Sequence, residues 1–286
     1  MRMTARHLLL VAVGCAVVFA AIFAAAYYTS QGRWLDNAAL DGFLSALAPG
    51  RQTSVASAVA HLCDPAPFLL LAAGVIALAL LRRSPRRAAA AAALMLASAG
   101  TTQLLKPLLA EYRFDDSLIA PTRLTHPLAD SAFPSGHATA AMSLALAALI
   151  VVPRAWRPAT AAAGSLFALA VSFSIVALAW HYPSDIVGGY LIASTWCLVA
   201  LATLRAADAR WPEPGTIRAA ARSRLPTAVA PAAAIAAAAL VAALARLDCL
   251  VGFAGDHTAA TVAAVGMSLS AATLVAAVSL ADRRAR

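Results

Sequence analysis

Three polar segments, far apart in the sequence, contain residue types and spacings that suit phosphate chemistry. Pro134-Ser135-Gly136-His137 leads directly into an apolar run. Residues of this kind suit the start of a helix, where the first amide N–H groups have no partner within the helix. These donors, together with the positive end of the helix dipole, favour an anion such as phosphate. The segment therefore predicts an anion site with His137 beside it.

The other two segments supply cations and a second histidine. Lys106 and Arg113 lie seven positions apart, and lysine and arginine both bind phosphate oxygens well. His181 and Asp185 lie four positions apart, so the carboxylate can hydrogen-bond to the imidazole and orient it. With His137, these residues could provide a nucleophile, its orienting partner and a general acid. Phosphoryl transfer with such a set requires no metal ion or cofactor.

Composition shows which kind of scaffold must hold these segments. Of the 286 residues, 62% are hydrophobic and only 12% are charged, about half the charged fraction of a typical soluble domain. Apolar runs of about 20 residues recur, each long enough to cross a bilayer. The runs are continuous and do not alternate, which excludes a β-barrel. We therefore predict an all-α, polytopic membrane bundle.

Eight spans are predicted, and the basic residues between them indicate one orientation. The formal net charge of +9 comes from arginines clustered between apolar runs, so it indicates span orientation, not nucleic-acid binding. The rule that basic loops stay inside places both termini in the cytoplasm. All three polar segments then lie on the extracytoplasmic side. The predicted spans cover about residues 8–28, 67–81, 88–105, 134–152, 158–180, 186–204, 225–247 and 258–280.

The order and spacing of these residues resemble the type-2 phosphatidic acid phosphatases, also called lipid phosphate phosphatases. The family's motifs are a lysine followed seven positions later by arginine and proline, then Pro-Ser-Gly-His, then Ser-Arg-x5-His-x3-Asp. Matching residues stand here in the same order: Lys106-x6-Arg113, Pro134-Ser135-Gly136-His137 and Ser174-x6-His181-x3-Asp185.

The resemblance implies a role for each matched residue. His181 would be the nucleophile that forms a phosphohistidine, and Asp185 would orient it. His137 would protonate the leaving oxygen and later help to activate water. The substrate phosphate would be bound by Lys106, Arg113, Ser135 and Gly136.

Two positions depart from the family pattern. Phe114 replaces the proline of the first motif, and Ile175 replaces the arginine of the third. In the family that arginine helps to bind phosphate, and loss of a charge-assisted contact costs roughly 1.5–3 kcal/mol. Arg123 could substitute for it. Otherwise the site handles a different group, or has weak or no activity.

The sequence thus predicts a metal-independent phosphatase of lipid phosphates or pyrophosphates in a bacterial inner membrane, with its active site extracytoplasmic. Phosphatidic acid and polyprenyl pyrophosphate are the obvious substrates. The alternatives are a non-catalytic lipid-phosphate binder or transporter, and a lipid phosphotransferase. Partners are expected to be the lipid substrate and membrane lipids. The sequence gives no oligomeric state.

Several expectations concern the rest of the chain. Residues 1–205 are predicted to form a six-span core, and residues 206–286 a basic cytoplasmic loop with two further spans. A short helix from Asn37 to Leu47 is expected to lie on the membrane surface. His61 is interpreted as interfacial, and Cys63 and Cys249 as a possible disulfide. Gly188 and Gly189 are interpreted as a site of close helix packing.

Overall fold

The fold is an all-helical bundle, as predicted. The structure is a computed structural model that describes residues 3–46, 51–111, 133–211 and 247–281. Within these ranges 90% of the residues are helical and none is in a strand. The α-helices are α1 (Ala5–Tyr28), α2 (Ser30–Ala46), α3 (Arg51–Ala60), α4 (Pro65–Leu81), α5 (Pro85–Leu108), α6 (Gly136–Val151), α7 (Arg157–Ala177), α8 (Pro183–Arg210), α9 (Leu247–Asp256) and α10 (Thr258–Ala281).

Five of the described helices are long and apolar enough to cross a membrane. They are α1, α5, α7 with the short turn before it, α8 and α10. A sixth span results if α3, its following 3₁₀ turn and α4 count as one segment bent by 56°. Helix α6 is apolar but only 16 residues long. The predicted span at about 225–247 lies outside the described residues, so the membrane-protein class is confirmed and the count of eight stays a prediction.

Local sequence explains where the helices begin. Helices α4, α5 and α8 begin at Pro65, Pro85 and Pro183. Proline suits the first helical position because its fixed φ is already helical and the amide that it lacks would have no intrahelical partner. Helix α6 begins after Ser135, whose hydroxyl oxygen accepts a hydrogen bond from the amide of Ala138 at 3.3 Å. Serine is a favoured N-cap residue for this reason.

Helices α6 and α8 form the centre of the bundle, and two glycines let them approach closely. A Cβ on Gly189 would lie 2.8 Å from the carbonyl oxygen of Ser135 and 3.0 Å from the amide of Thr139. A Cβ on Gly188 would lie 2.8 Å from the ring of Phe133. The interpretation of this glycine pair as a close-packing site is therefore confirmed.

Helix α2 differs from its prediction. It begins at Ser30, not at Asn37, and its Asp36 and Asn37 side chains are buried. The predicted start of this helix was therefore wrong, whereas its predicted place on the membrane surface stays a prediction. Helix α10 packs against the other face of α2, where a Cβ on Gly42 would lie 2.6 Å from that of Ala260. The hydroxyl of Ser45 also lies 3.0 Å from Nε2 of His257.

The remaining prediction about the scaffold concerned a disulfide. Cys63 is buried and carries a free thiol. The structure therefore contradicts the hypothesis that Cys63 pairs with Cys249, whose side chain lies outside the described ones.

Candidate active site

Four helix ends meet at one end of the bundle and bring the predicted polar groups together. They are the end of α5 and the starts of α4, α6 and α8, and the middle of α2 packs beside them. The link between the second and third motifs is direct, because the amide of Ser135 donates to the carbonyl oxygen of Asp185 at 3.0 Å. The two predicted histidine segments are therefore neighbours in space.

The turn before α8 holds a buried histidine–aspartate pair. Nδ1 of His181 lies 3.3 Å from one carboxylate oxygen of Asp185. The same oxygen accepts the amide of Tyr182 at 2.9 Å, which fixes the carboxylate in the first turn of the helix. Both side chains are nearly inaccessible to solvent, at 8% and 0% exposure. With Nδ1 donating to Asp185, Nε2 of His181 is the nitrogen with a free lone pair.

The anion site predicted at the start of α6 stays a prediction, but the structure changes which groups could donate to an anion there. Since the Ser135 amide is bonded to Asp185 and the Ala138 amide to the Ser135 hydroxyl, an anion would use the amides of Gly136 and His137. The Ser135 hydroxyl keeps its own proton, so it can still donate to a phosphate oxygen.

Lys106 adds a positive charge to this helix start. It is the only lysine of the chain and lies in the last turn of α5. Its Nζ is 4.0 Å from the position that a Cβ on Gly136 would take, and its ammonium interacts electrostatically with Asp185. Lys106, the start of α6 and the His181–Asp185 pair therefore lie close to one another.

His137 is held from the side by a carboxylate that the motifs do not contain. Its Nε2 lies 3.1 Å from Oδ1 of Asp64, and the other carboxylate oxygen, Oδ2, lies 2.8 Å from Nδ1 of His61. The indole of Trp180 packs beside both imidazoles, with ring centroids 5.5 Å from His137 and 5.7 Å from His61. The interpretation of His61 as an interfacial residue therefore missed its contact with this carboxylate.

The electrostatics of Asp64 follow from these contacts. Hydrogen bonds from His137, and then from His61, hold the pKa of the Asp64 carboxyl below its usual value, because both stabilise the ionised form. Asp64 stands at the bend between the 3₁₀ turn and α4. An aspartate with a lowered pKa is ionised at neutral pH, so Asp64 places a negative charge beside His137.

A second layer, from α2, supports the turn that carries His181. The carboxylate of Asp36 accepts two hydrogen bonds from Ser184, one from the amide at 3.1 Å and one from the hydroxyl at 2.6 Å. The hydroxyl of Tyr182 donates to Asn37 at 3.3 Å. Sequence reasoning missed this layer. The sequence signal was a pair of polar residues, Asp36 and Asn37, directly before the apolar residues 38–40.

Ile175, which replaces the family arginine, lies in the apolar core. Its side chain is fully buried, and its carbonyl oxygen accepts the amide of Trp180 at 2.9 Å. The substitution therefore puts a packing residue where the motif has a cation. Arg113 and Arg123, the other predicted cations, lie outside the described residues, as does Phe114.

The structure thus brings together six of the predicted site residues, whose chemical roles stay predictions. They are Lys106, Ser135, Gly136, His137, His181 and Asp185. It adds Asp64, His61 and Asp36, which belong to none of the three motifs.

The apolar helical bundle, with a buried histidine–aspartate pair close to a lysine and a helix start, defines the class of helical membrane proteins. Comparison with known families gives the same class. A family model for the PAP2 superfamily matches residues 87–209, which contain all three motifs. The match is consistent with a member of the type-2 phosphatidic acid phosphatase family and confirms the resemblance. PAP2 superfamily members are generally phosphatases. No curated protein and no solved structure matches the chain.

Proposed function

We propose that this protein is an integral membrane phosphatase that hydrolyses a lipid phosphate or pyrophosphate monoester through a phosphohistidine. One observation supports this proposal above the others. The Ser135–Asp185 hydrogen bond joins the helix start that suits a phosphate to the dyad that suits a nucleophile. Lys106 lies beside the same helix start. The cation that would attract the phosphate and the histidine that would attack it are therefore close together.

The proposed reaction has two steps. Nε2 of His181 attacks phosphorus, the bond from phosphorus to the leaving oxygen breaks, and His137 gives that oxygen a proton. Asp185 stabilises the imidazolium character of His181 during attack. Water then attacks the phosphohistidine, its proton passes to His137, the phosphorus–nitrogen bond breaks and inorganic phosphate leaves. Lys106 and the amides of Gly136 and His137 stabilise the charge on the phosphoryl oxygens in both steps.

The proposed location follows the orientation predicted from the basic loops. The site then faces the extracytoplasmic side of a bacterial inner membrane, with both termini in the cytoplasm. Arg86 and Arg87 lie at the opposite end of the bundle, where Arg86 is 3.7 Å from Asp208 and Arg87 donates to the carbonyl of Ile150. Clustered arginines at that end agree with a cytoplasmic assignment.

Phosphate release from phosphatidic acid and polyprenyl pyrophosphate by the purified full-length protein tests the proposal. Wild type should release phosphate, His181→Ala should not, and His7→Ala should behave as wild type. His7 is a matched control because it serves only the N-terminal turn of α1. A radiolabelled, acid-labile and base-stable phosphoprotein should form in wild type alone. Equal release by wild type and His181→Ala would end the proposal.

The buried Ile175 favours a second candidate, a non-catalytic lipid-phosphate binder or transporter. A site without the third cation could hold a phosphate without stabilising its transition state. The same experiment separates the two candidates. A binder would retain the labelled lipid on wild-type protein, release no phosphate and form no phosphoprotein.

A further inference from the structure

Asp64 faces His137 instead of capping its own helix. Asp64 is the N-cap residue of α4 but makes no side-chain capping bond. A capping aspartate normally accepts the amide of the second or third helical residue. Here the third helical residue is Pro67, which has no amide hydrogen. This proline removes one of the two amides that would hold the carboxylate in the cap.

The carboxylate of Asp64 contacts two histidines. Its two oxygens take one imidazole each, His137 at 3.1 Å and His61 at 2.8 Å. His137 comes from a different helix, 73 residues along the chain. Its other charged neighbours, Lys106 and His181, are cations or potential cations. Among the described residues that contact the His137 ring, Asp64 is the group that can balance a positive charge on it.

The two ring nitrogens of His137 differ in their surroundings. Because Nε2 is engaged by Asp64, Nδ1 is the nitrogen left to exchange a proton with a leaving oxygen. The indole of Trp180 packs against the same ring and restricts its rotation. The arrangement parallels the His181–Asp185 pair with the two ring nitrogens exchanged.

We propose that Asp64 is a positioning residue for His137: it holds Nε2, balances the imidazolium, and leaves Nδ1–H to protonate the leaving oxygen. This inference rests on the proposed phosphatase function. It adds to the three motifs a carboxylate from the start of α4, so the acid histidine and the nucleophilic histidine each have their own aspartate.

The test compares two leaving groups. A lipid alkoxide is strongly basic and needs a proton as it departs, whereas p-nitrophenolate is stable without one. Damage to the general acid therefore slows the first substrate much more than the second, while general damage to the fold slows both equally. The quantity to measure is kcat/KM for phosphatidic acid and for p-nitrophenyl phosphate, because this parameter reports the steps up to cleavage of the leaving group.

Asp64→Asn should lower the ratio of kcat/KM for phosphatidic acid to kcat/KM for p-nitrophenyl phosphate by roughly tenfold to a hundredfold. This loss is part of the roughly 10²–10⁴-fold that a general acid supplies. Asp64→Glu should restore part of the ratio. Asp64→Asn should add little to the effect of His137→Ala in the double variant, because the two residues act as a unit. Asp256→Asn, which changes an exposed carboxylate at the end of α9, should keep the wild-type ratio.

Each possible failure has its own meaning. If wild type hydrolyses both substrates and Asp64→Asn leaves the ratio unchanged, the positioning role is wrong while the phosphatase function stands. A variant that loses both activities equally leads to the same conclusion, since Asp64 would then be only a structural residue. If wild type hydrolyses neither substrate, the proposed function fails and this inference fails with it.

Discussion

The amide of Ser135 donates a hydrogen bond to the carbonyl oxygen of Asp185 at 3.0 Å. This single bond fixes the start of α6 against the start of α8. It therefore sets the distance between the groups that suit a phosphate and the histidine that suits attack on it. The contact depends on Gly189, since a Cβ there would lie 2.8 Å from the carbonyl oxygen of Ser135.

Gly189→Ala should displace the start of α6, because two of the three atoms closest to the new methyl group belong to the backbone. Overpacking of this kind costs about 1–3 kcal/mol. We expect a lower thermal midpoint in detergent and a reduced rate of phosphate release. Gly100→Ala is the matched control, because a Cβ at Gly100 meets no atom within 4 Å. If both variants unfold at the wild-type temperature, the close contact has no energetic importance.

Asp185→Asn should lower phosphate release by about 10²–10⁴-fold with little loss of protein, as for a triad aspartate that orients a histidine. One carboxylate oxygen accepts from both Tyr182 and His181, and an amide oxygen in its place can do the same, but the neutral amide cannot balance an imidazolium on His181. Asp208→Asn, near the other end of the same helix, provides the comparison and should retain activity. Equal activity of the two variants would remove Asp185 from the mechanism.

Phosphate or vanadate should protect Lys106 from an amine-reactive reagent. Since Lys106 is the only lysine, mass spectrometry can assign its modification without ambiguity. Protection should be lost in Ser135→Pro, which deletes the amide that joins α6 to Asp185. The prediction concerns binding alone, so it holds for an enzyme and for a non-catalytic binder. If neither anion reduces the modification of Lys106, phosphate does not bind beside this residue.

Asp36→Ala should loosen the turn that carries His181. Two hydrogen bonds from Ser184 to this buried carboxylate would be lost, and bonds to a charged group contribute roughly 1.5–3 kcal/mol each. We expect a lower thermal midpoint and a lower rate of phosphate release. In a double-mutant cycle, Asp36→Ala and Ser184→Ala should be strongly non-additive. Additive effects would show that the pair is not coupled.

Arg123→Ala should lower activity about as severely as Arg113→Ala if Arg123 replaces the missing third-motif arginine. Both arginines lie outside the described residues, so this prediction rests on the sequence alone. The fully buried position of Ile175 makes the question sharper, because that position supplies packing and no charge. A near-normal rate for Arg123→Ala would dismiss the substitution.

The sequence was sufficient to predict the helical membrane class and the meeting of Lys106, His137 and His181. Apolar run length, basic loops and motif spacing are local properties that a sequence records directly. The contacts of Asp64 and Asp36 could not be predicted in this way. Each depends on a carboxylate reaching a partner on another helix, 73 residues away for Asp64 and 148 for Asp36. Tertiary packing decides such distances, and one sequence does not specify them.

The start of α2 was predicted wrongly for a related reason. Asn37 was predicted to begin the helix, whereas it lies in the middle of α2, and the buried side chains of Asn37 and Asp36 bind Tyr182 and Ser184. A buried polar residue with a partner and a solvated polar residue have the same one-letter code. Only the position of the partner distinguishes them.

Helix α10 lies outside the matched residues 87–209, yet it packs on α2 through Ala260 and His257. Helix α2 in turn holds Ser184, the neighbour of the dyad aspartate. Residues 87–209, by which the family is recognised, therefore depend on helices outside that range. A chimera that moves residues 87–209 into a relative would contain the three motifs but would lack α2 and α10, which support the turn before α8. Such a chimera would need Asp36 and its supporting helix to be carried along as well.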